Sequence, residues 1–260
     1  MLGIIDGLKA LHAKNGRHGD FKPQNILHFK KSDEETGGRG TLVIADVGVS
    51  RFHKEATRLR HVATAAREST VSYEAPEAEP DRLKGIPRSR KYDMWSIGCM
   101  YLEFTIWLVY GNNAVRRFRG RREAKDDPTT TGAWSFFTHN DKGATKIHAA
   151  VSEAISILLQ DKRCNGTALE DLVILIRDQL LQIDVQQRAE ASLLHERFEI
   201  IVRAAEEDPS YLWKTLAISP PTPRFFRSRK DFNPTPNTSA SDSSTSQDTL
   251  STRSDGSEPT

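Results

Sequence analysis

A chain of 260 residues with 37 Lys+Arg against 35 Asp+Glu carries a net charge of +2, so no global field draws it to nucleic acid or to a membrane surface. Its length suits one large domain with an appendage. Its 2 cysteines, Cys99 and Cys164, are too few for a disulfide scaffold or a cysteine-based zinc site, and they point to a reducing, intracellular setting, read as cytoplasmic without excluding the nucleus.

Leu2, Ile4, Ile5, Leu8 and Leu11 recur near helical spacing and predict an amphipathic helix over the first 14 residues, ending near Asn15-Gly16. The same stretch lacks the charged leader and cleavage site of a secretory signal. Ile26–Lys30 and Thr41–Ala45 read as two short strands joined by a polar, glycine-rich hairpin loop. From Asp46 to Glu77 there is much charge and little periodicity, which predicts a long loop, and long loops in compact domains are usually functional.

Met94 to Gly111 is apolar enough to raise a membrane-spanning reading. Glu103 near its middle would be costly in lipid, so a buried helix at the centre of a soluble domain is expected instead. Gly111 to Lys146 reads as a polar stretch, with five arginines in the seven residues Arg116 to Arg122. Helical periodicity resumes at His148–Gln160, Leu169–Gln182 and Ala189–Glu206. From Ser219 to Thr260 Ser, Thr and Pro dominate, a composition that predicts a disordered tail. There is no internal repeat.

The stretch HGDFKPQNIL, His18 to Leu27, sets an aspartate, a lysine and an asparagine at short, fixed offsets. Asp20 can orient or deprotonate a hydroxyl nucleophile, Lys22 can neutralise charge on a transferring phosphoryl group, and Asn25 can offer an oxygen to a hard cation. Asp46, at a strand end before a flexible glycine in "ADVG", can supply a second cation ligand. Phosphoryl transfer asks a protein for little more than positioning and charge stabilisation, and these four groups offer both.

HGDFKPQN resembles the H-R-D-x-K-x-x-N catalytic loop of eukaryotic-type protein kinases. DVG, from Asp46, looks like their D-F-G metal motif, and YEAPE, Tyr73 to Glu77, looks like the A-P-E that closes the activation segment. YDMWSIGC, Tyr92 to Cys99, is similar to the start of the long buried helix behind that segment. DVQQRAEASLL is similar to the region of the late arginine, here Arg188, that pairs with the A-P-E glutamate. The resemblance covers about residues 1–210, although between Tyr110 and Arg188 it lies only in helical character.

It implies a mainly α fold, the large C-terminal lobe of a protein kinase with a small β-hairpin carrying the catalytic and metal loops. It also implies ATP and Mg2+ as cofactors and a protein substrate. Carried over by position, the resemblance makes Asp20 the expected catalytic base and Lys22 the expected phosphate-contacting lysine. It likewise implies Asn25 and Asp46 as magnesium ligands, Leu27 as the residue beneath the adenine ring, and Thr70 as the contact to Asp20 and Lys22. Lys22 with Thr70 favours serine/threonine over tyrosine acceptors. His18, Asp93, Glu77 and Arg188 fall at structural positions: an anchor for the metal loop, a cap on the catalytic-loop backbone, and a buried ion pair.

Three departures accompany the likeness. Gly19 replaces the usual arginine, so activity is expected not to depend on phosphorylation of Thr57, Thr64 or Ser69. Val47 replaces the D-F-G phenylalanine. The catalytic loop also comes early, with no glycine-rich loop and no lysine strand ahead of it, so these residues alone are expected to turn over little or nothing. An aminoglycoside- or choline-kinase-type phosphotransferase is a rival reading, since Gly19 suits its H-G-D loop, but Lys22, Thr70 and YEAPE speak against it. A pseudokinase-like scaffold is the non-enzymatic rival. The run Arg116–Arg122 reads first as solvated surface, and otherwise as a site for an acidic or phosphorylated partner or for RNA. No membrane partner and no nucleic acid is expected.

Overall fold

The computed structural model describes residues 1–30, 40–46, 72–78, 89–123, 134–140, 143–217 and 220–227. The first helix, α1 (Leu2–Ala13), buries Ile4, Ile5, Leu8 and His12 on one face. It stops where Asn15 enters the left-handed region at φ 56°, a conformation that asparagine tolerates and that ends many helices. A short 3-10 turn, Pro23–Asn25, leads into β1 (Ile26–Phe29), which pairs antiparallel with β2 (Thr41–Ile44) in the register Ile26↔Ile44 and Leu27↔Val43.

The hairpin lies against α1. A Cβ at Gly3 would stand 3.3 Å from the Leu42 carbonyl oxygen, and one at Gly7 would stand 3.2 Å from an Ile44 methyl. Two glycines one turn apart therefore let the strand approach the helix backbone. Ile26 and Ile44 face the core, while Leu27, Phe29 and Val43 point outward and stay exposed. Period-two alternation produces that split.

The centre of the molecule is α2 (Lys91–Tyr110), buried on nearly every side from Tyr92 to Val109. A helix apolar all round is a core helix, and among the described residues no helix is long and apolar enough to cross a membrane. Glu103 is 5% exposed and is held by two guanidinium groups, Arg119 Nη2 at 2.5 Å and Arg122 Nη2 at 2.6 Å. Burial acts to raise its pKa, but the hydrogen bonds and charge of those arginines outweigh burial and hold it below the ordinary carboxylate value.

The polar stretch after Gly111 holds, among its described residues, regular elements that its composition does not suggest. It contains α3 (Asn112–Arg121) and a small hairpin of β3 (Phe137–His139) and β4 (Thr145–Ile147). The arginine run is correspondingly not a uniform surface for an acidic partner. Arg119 and Arg122 turn onto Glu103, and Arg121 donates through Nε to the Phe225 carbonyl at 2.8 Å. Arg122 is also sandwiched by the rings of Phe118 and Phe136, at 4.3 and 3.8 Å.

Four further α-helices complete the helical body among the described residues. The α4 helix (Ala149–Gln160) is capped by His148 and α5 (Ala168–Leu175) by Thr167. The expected helix to Gln182 instead passes into a π-helical turn, Ile176–Leu180. It packs so closely on α2 that a Cβ at Gly98 would lie 2.8 Å from that of Leu180. Then come α6 (Ala191–Glu207) and α7 (Pro209–Leu212).

The compact unit extends to Arg227, beyond the expected domain end at 210. A 3-10 turn, Arg224–Phe226, buries Phe225 and Phe226 inside the stretch expected to be tail. Two adjacent phenylalanines bury enough apolar area to order a short segment that Ser, Thr and Pro alone would not. Residues 228–260 lie outside the described residues. Both cysteines are free and buried, and burial pushes the Cys164 thiol up to about 12.

Candidate active site

The site is assembled where α1 hands the chain to the 3-10 turn and the hairpin. Asp93, on the first turn of α2 and fully buried, accepts the His18 N–H on Oδ2 at 2.9 Å and the Gly19 N–H on Oδ1 at 2.8 Å. His12 adds a third contact, Nε2 to Asp93 Oδ2 at 2.9 Å. These bonds fix the backbone of the loop from a helix that cannot move independently of the core. Gly19 sits at φ 77°, where any L side chain would cost about 1–2 kcal/mol. The local turn thus gives glycine a physical reason at this position.

His18 ties the two loops together. Its Nδ1 receives the Asp20 N–H at 3.3 Å, which leaves Nε2 to donate to the Ala45 carbonyl at 2.8 Å. Ala45 in turn donates its own N–H to the Asn25 carbonyl at 2.8 Å. The residue before Asp46 is therefore bonded on one side to His18 and on the other to Asn25. Asp46 itself is exposed, at φ 58°. A non-glycine residue in that region is uncommon, and such positions cluster at functional sites.

Within the loop, Lys22 Nζ donates to Asp20 Oδ2 at 2.7 Å, with the lysine side chain 15% and the aspartate 42% exposed. The Asn25 amide nitrogen donates to the Asp20 carbonyl at 2.8 Å and reaches toward Asp20 Oδ2 at 3.4 Å. Asp20 is thus held by a cation and an amide while half its side chain still meets solvent. Because the Asn25 nitrogen is committed, its oxygen is the atom offered to a cation. An amide oxygen and the Asp46 carboxylate are the donor types a hard cation such as Mg2+ takes, and two protein ligands leave room for water and phosphate oxygens. The residues present fit that ion.

Leu27 lies on β1 opposite Val43, 45% exposed on the outer face of the hairpin beside Phe29. Thr70 and Val47 lie outside the described residues, as do Thr57, Thr64 and Ser69. The expected pair between Glu77 and Arg188 forms: Nη1 to Oε1 at 2.7 Å and Nη2 to Oε2 at 2.9 Å, a two-pronged contact on a fully buried guanidinium. Arg188 also donates to the Gln182 carbonyl at 2.7 Å and lies over the Trp95 ring.

Two contributors escaped the sequence reading. His12 has a signal, since it lies one turn beyond Leu8 on the buried face of α1. Arg90 has none; it donates to the His12 carbonyl at 2.6 Å and so closes the C-terminal end of that helix.

A model of the protein kinase domain family matches residues 1–197, and the chain belongs to that family. Among curated proteins it is similar to serine/threonine-protein kinase 16 of Homo sapiens, 37% identical over 105 residues, or 38% of this chain and 32% of that protein. Cyclin-dependent kinase 4 of Mus musculus is 33% identical over 103 residues, 40% of this chain and 28% of the relative. A probable myosin light chain kinase of Dictyostelium discoideum is 26% identical over 163 residues, 62% of this chain and 28% of the relative. The chain therefore spans at most 32% of the length of these relatives.

Proposed function

We propose that the chain carries the hydroxyl-activating and metal-holding half of a protein serine/threonine kinase. The observation that carries this reading is the bonded set Asp20–Lys22–Asn25, tied through His18 and Ala45 to Asp46. In the proposed reaction the oxygen of a protein serine or threonine bonds to the γ-phosphorus of ATP. The bond from that phosphorus to the bridging oxygen breaks, ADP leaves, and the hydroxyl proton passes to Asp20. Lys22 steadies the Asp20 carboxylate and offers positive charge to the transferring group. Asn25 and Asp46 would hold Mg2+, which when bound neutralises charge on the nucleotide phosphates. Leu27 offers an apolar surface to the adenine ring, and Thr70 is proposed to contact Asp20 and Lys22.

The brace between Tyr73–Glu77 and Arg188 supports a protein acceptor over a small molecule, because it organises a segment that a small-molecule phosphotransferase does not need. The 260 residues contain no glycine-rich loop or lysine strand to enclose ATP. A polypeptide of these residues alone is accordingly expected to show little or no turnover.

The test uses radiolabelled ATP with Mg2+ and a mixture of acceptor proteins, comparing the 260-residue polypeptide with the full product of the native transcript. Label on serine and threonine from the full product is expected, reduced about 10²–10⁴-fold in Asp20→Asn, the range for a general base. Label on an aminoglycoside or choline but not on protein would overturn the reading. Robust protein phosphorylation by the 260-residue polypeptide would overturn its expected inactivity.

A further inference from the structure

The segment 72–78 is pinned at both ends. Glu77 is gripped by Arg188, as described. At the other end the Tyr73 hydroxyl donates to Glu103 Oε2 at 2.7 Å, and the Tyr73 carbonyl accepts from Ser96 Oγ at 2.8 Å. Glu103 and Ser96 both belong to α2, so these contacts seat the segment on the central helix.

The grip on Tyr73 depends on a third element. A buried carboxylate keeps its charge only where cations or hydrogen bonds replace water. Here they come from α3 and the residue after it. Arg119 donates through Nε to Oε1 at 3.0 Å and through Nη2 to Oε2 at 2.5 Å, and Arg122 donates to Oε1 at 2.6 Å. Arg119 Nη2 also lies 3.2 Å from the Tyr73 hydroxyl oxygen, so it touches the tyrosine as well as its partner. Arg122 is fixed in place by two aromatic rings and by the Trp134 carbonyl at 2.9 Å.

We infer that Arg119 and Arg122 are positioning residues for segment 72–78. By keeping Glu103 ionised and aimed at Tyr73, the helix that follows α2 sets the shelf on which a protein substrate is held. The substrate half of this inference rests on the protein kinase reading; the mechanical half does not. Neither arginine is proposed to touch substrate or nucleotide.

The decisive variants are Arg119→Ala, Arg119→Lys and Tyr73→Phe in the full chain. Arg119 is suited to the test because its side chain is 48% exposed, so its loss leaves the apolar core filled. Amide hydrogen exchange read by mass spectrometry is expected to run about tenfold faster over residues 72–78 in Arg119→Ala, the size set by losing a hydrogen bond to a charged group. Exchange over α4 to α6 should be unchanged, Tyr73→Phe should accelerate the same segment, and Arg119→Lys should recover part of the protection. In the form of the protein that transfers phosphate, KM for the acceptor protein should rise about tenfold while KM for ATP and kcat stay put, because the tie broken is of that same size.

Unchanged exchange over 72–78, or equal acceleration throughout the chain, would overturn the inference. So would local acceleration with no change in KM for the acceptor, which would mark a merely structural tie. If the wild type transfers no phosphate to any protein while local acceleration is observed, the kinase reading fails and the mechanical brace stands.

Discussion

Arg188 shows how much of this molecule depends on single buried charges. Its side chain is fully buried, and a guanidinium cannot shed its proton to escape the desolvation penalty. It must therefore be matched on every side, by both oxygens of Glu77 and by backbone carbonyls. Replacing Glu77 with alanine leaves that cation without its counter-charge, a change that typically costs about 3–5 kcal/mol. The Gln182 carbonyl at 2.7 Å and the Lys91 carbonyl at 3.3 Å remain as acceptors, so the low end, about 3 kcal/mol, is expected. Urea unfolding of the Glu77→Ala protein measures it, and a loss under about 0.5 kcal/mol, the range of an ordinary surface change, would show that the pair does not support the fold. At this scale His18, Asp93, Glu77 and Arg188 were legible because their residue types and chain order repeat a known pattern. Arg122 was not, because arginine defaults to the surface and its carboxylate lies 19 residues away on another helix.

Helices announced themselves by periodicity and caps. Those at 149–160 and 191–207 begin and end within two residues of the expected bounds, since apolar spacing survives averaging over several turns. The α3 helix was hidden because four of its ten residues are arginine and its buried face is no more than Ala114, Val115 and Phe118. The start of α4 carries a prediction. His148 accepts the Ala150 N–H on Nδ1 at 3.0 Å, a cap that requires this nitrogen to be unprotonated. Burial, with a smaller contribution from the charge of Arg122, lowers its pKa below the ordinary 6.5. Between the folded value and 6.5 the unfolded chain binds the extra proton, so stability rises with pH through that window and is lost as pH falls below about 6.5. His148→Asn keeps a capping acceptor and removes the titration. Stability measured by urea unfolding at pH 7.5 and pH 5.5 should fall more in the wild type than in His148→Asn. Equal losses would remove His148 from the acid response.

Across the whole molecule, the fold does not stop where the family match does. The match ends at 197, while the compact unit continues to Arg227. Its last described turn returns to the far end of the central helix, where Phe226 stacks on Tyr110 with ring centroids 4.7 Å apart and Phe225 meets Phe226 edge-on at 4.8 Å. Arg121 closes the junction with its guanidinium 4.3 Å from the Phe225 ring centre. This strap was hidden because composition averages over a window, and two phenylalanines vanish among prolines and serines. Its energetic weight follows from burial: Phe226 is 2% exposed, and truncating a buried phenylalanine to alanine costs about 3–5 kcal/mol. Leu212, 56% exposed on the neighbouring short helix, is the matched control, expected to change stability by less than about 0.5 kcal/mol when made alanine. Urea unfolding of the two variants should give a lower midpoint for Phe226→Ala, with the slope unchanged if the strap unfolds together with the helical body. A midpoint equal to that of Leu212→Ala would mean that the strap rests on the kinase body without contributing to its stability, and the domain would then end near α6 as the family pattern alone implies.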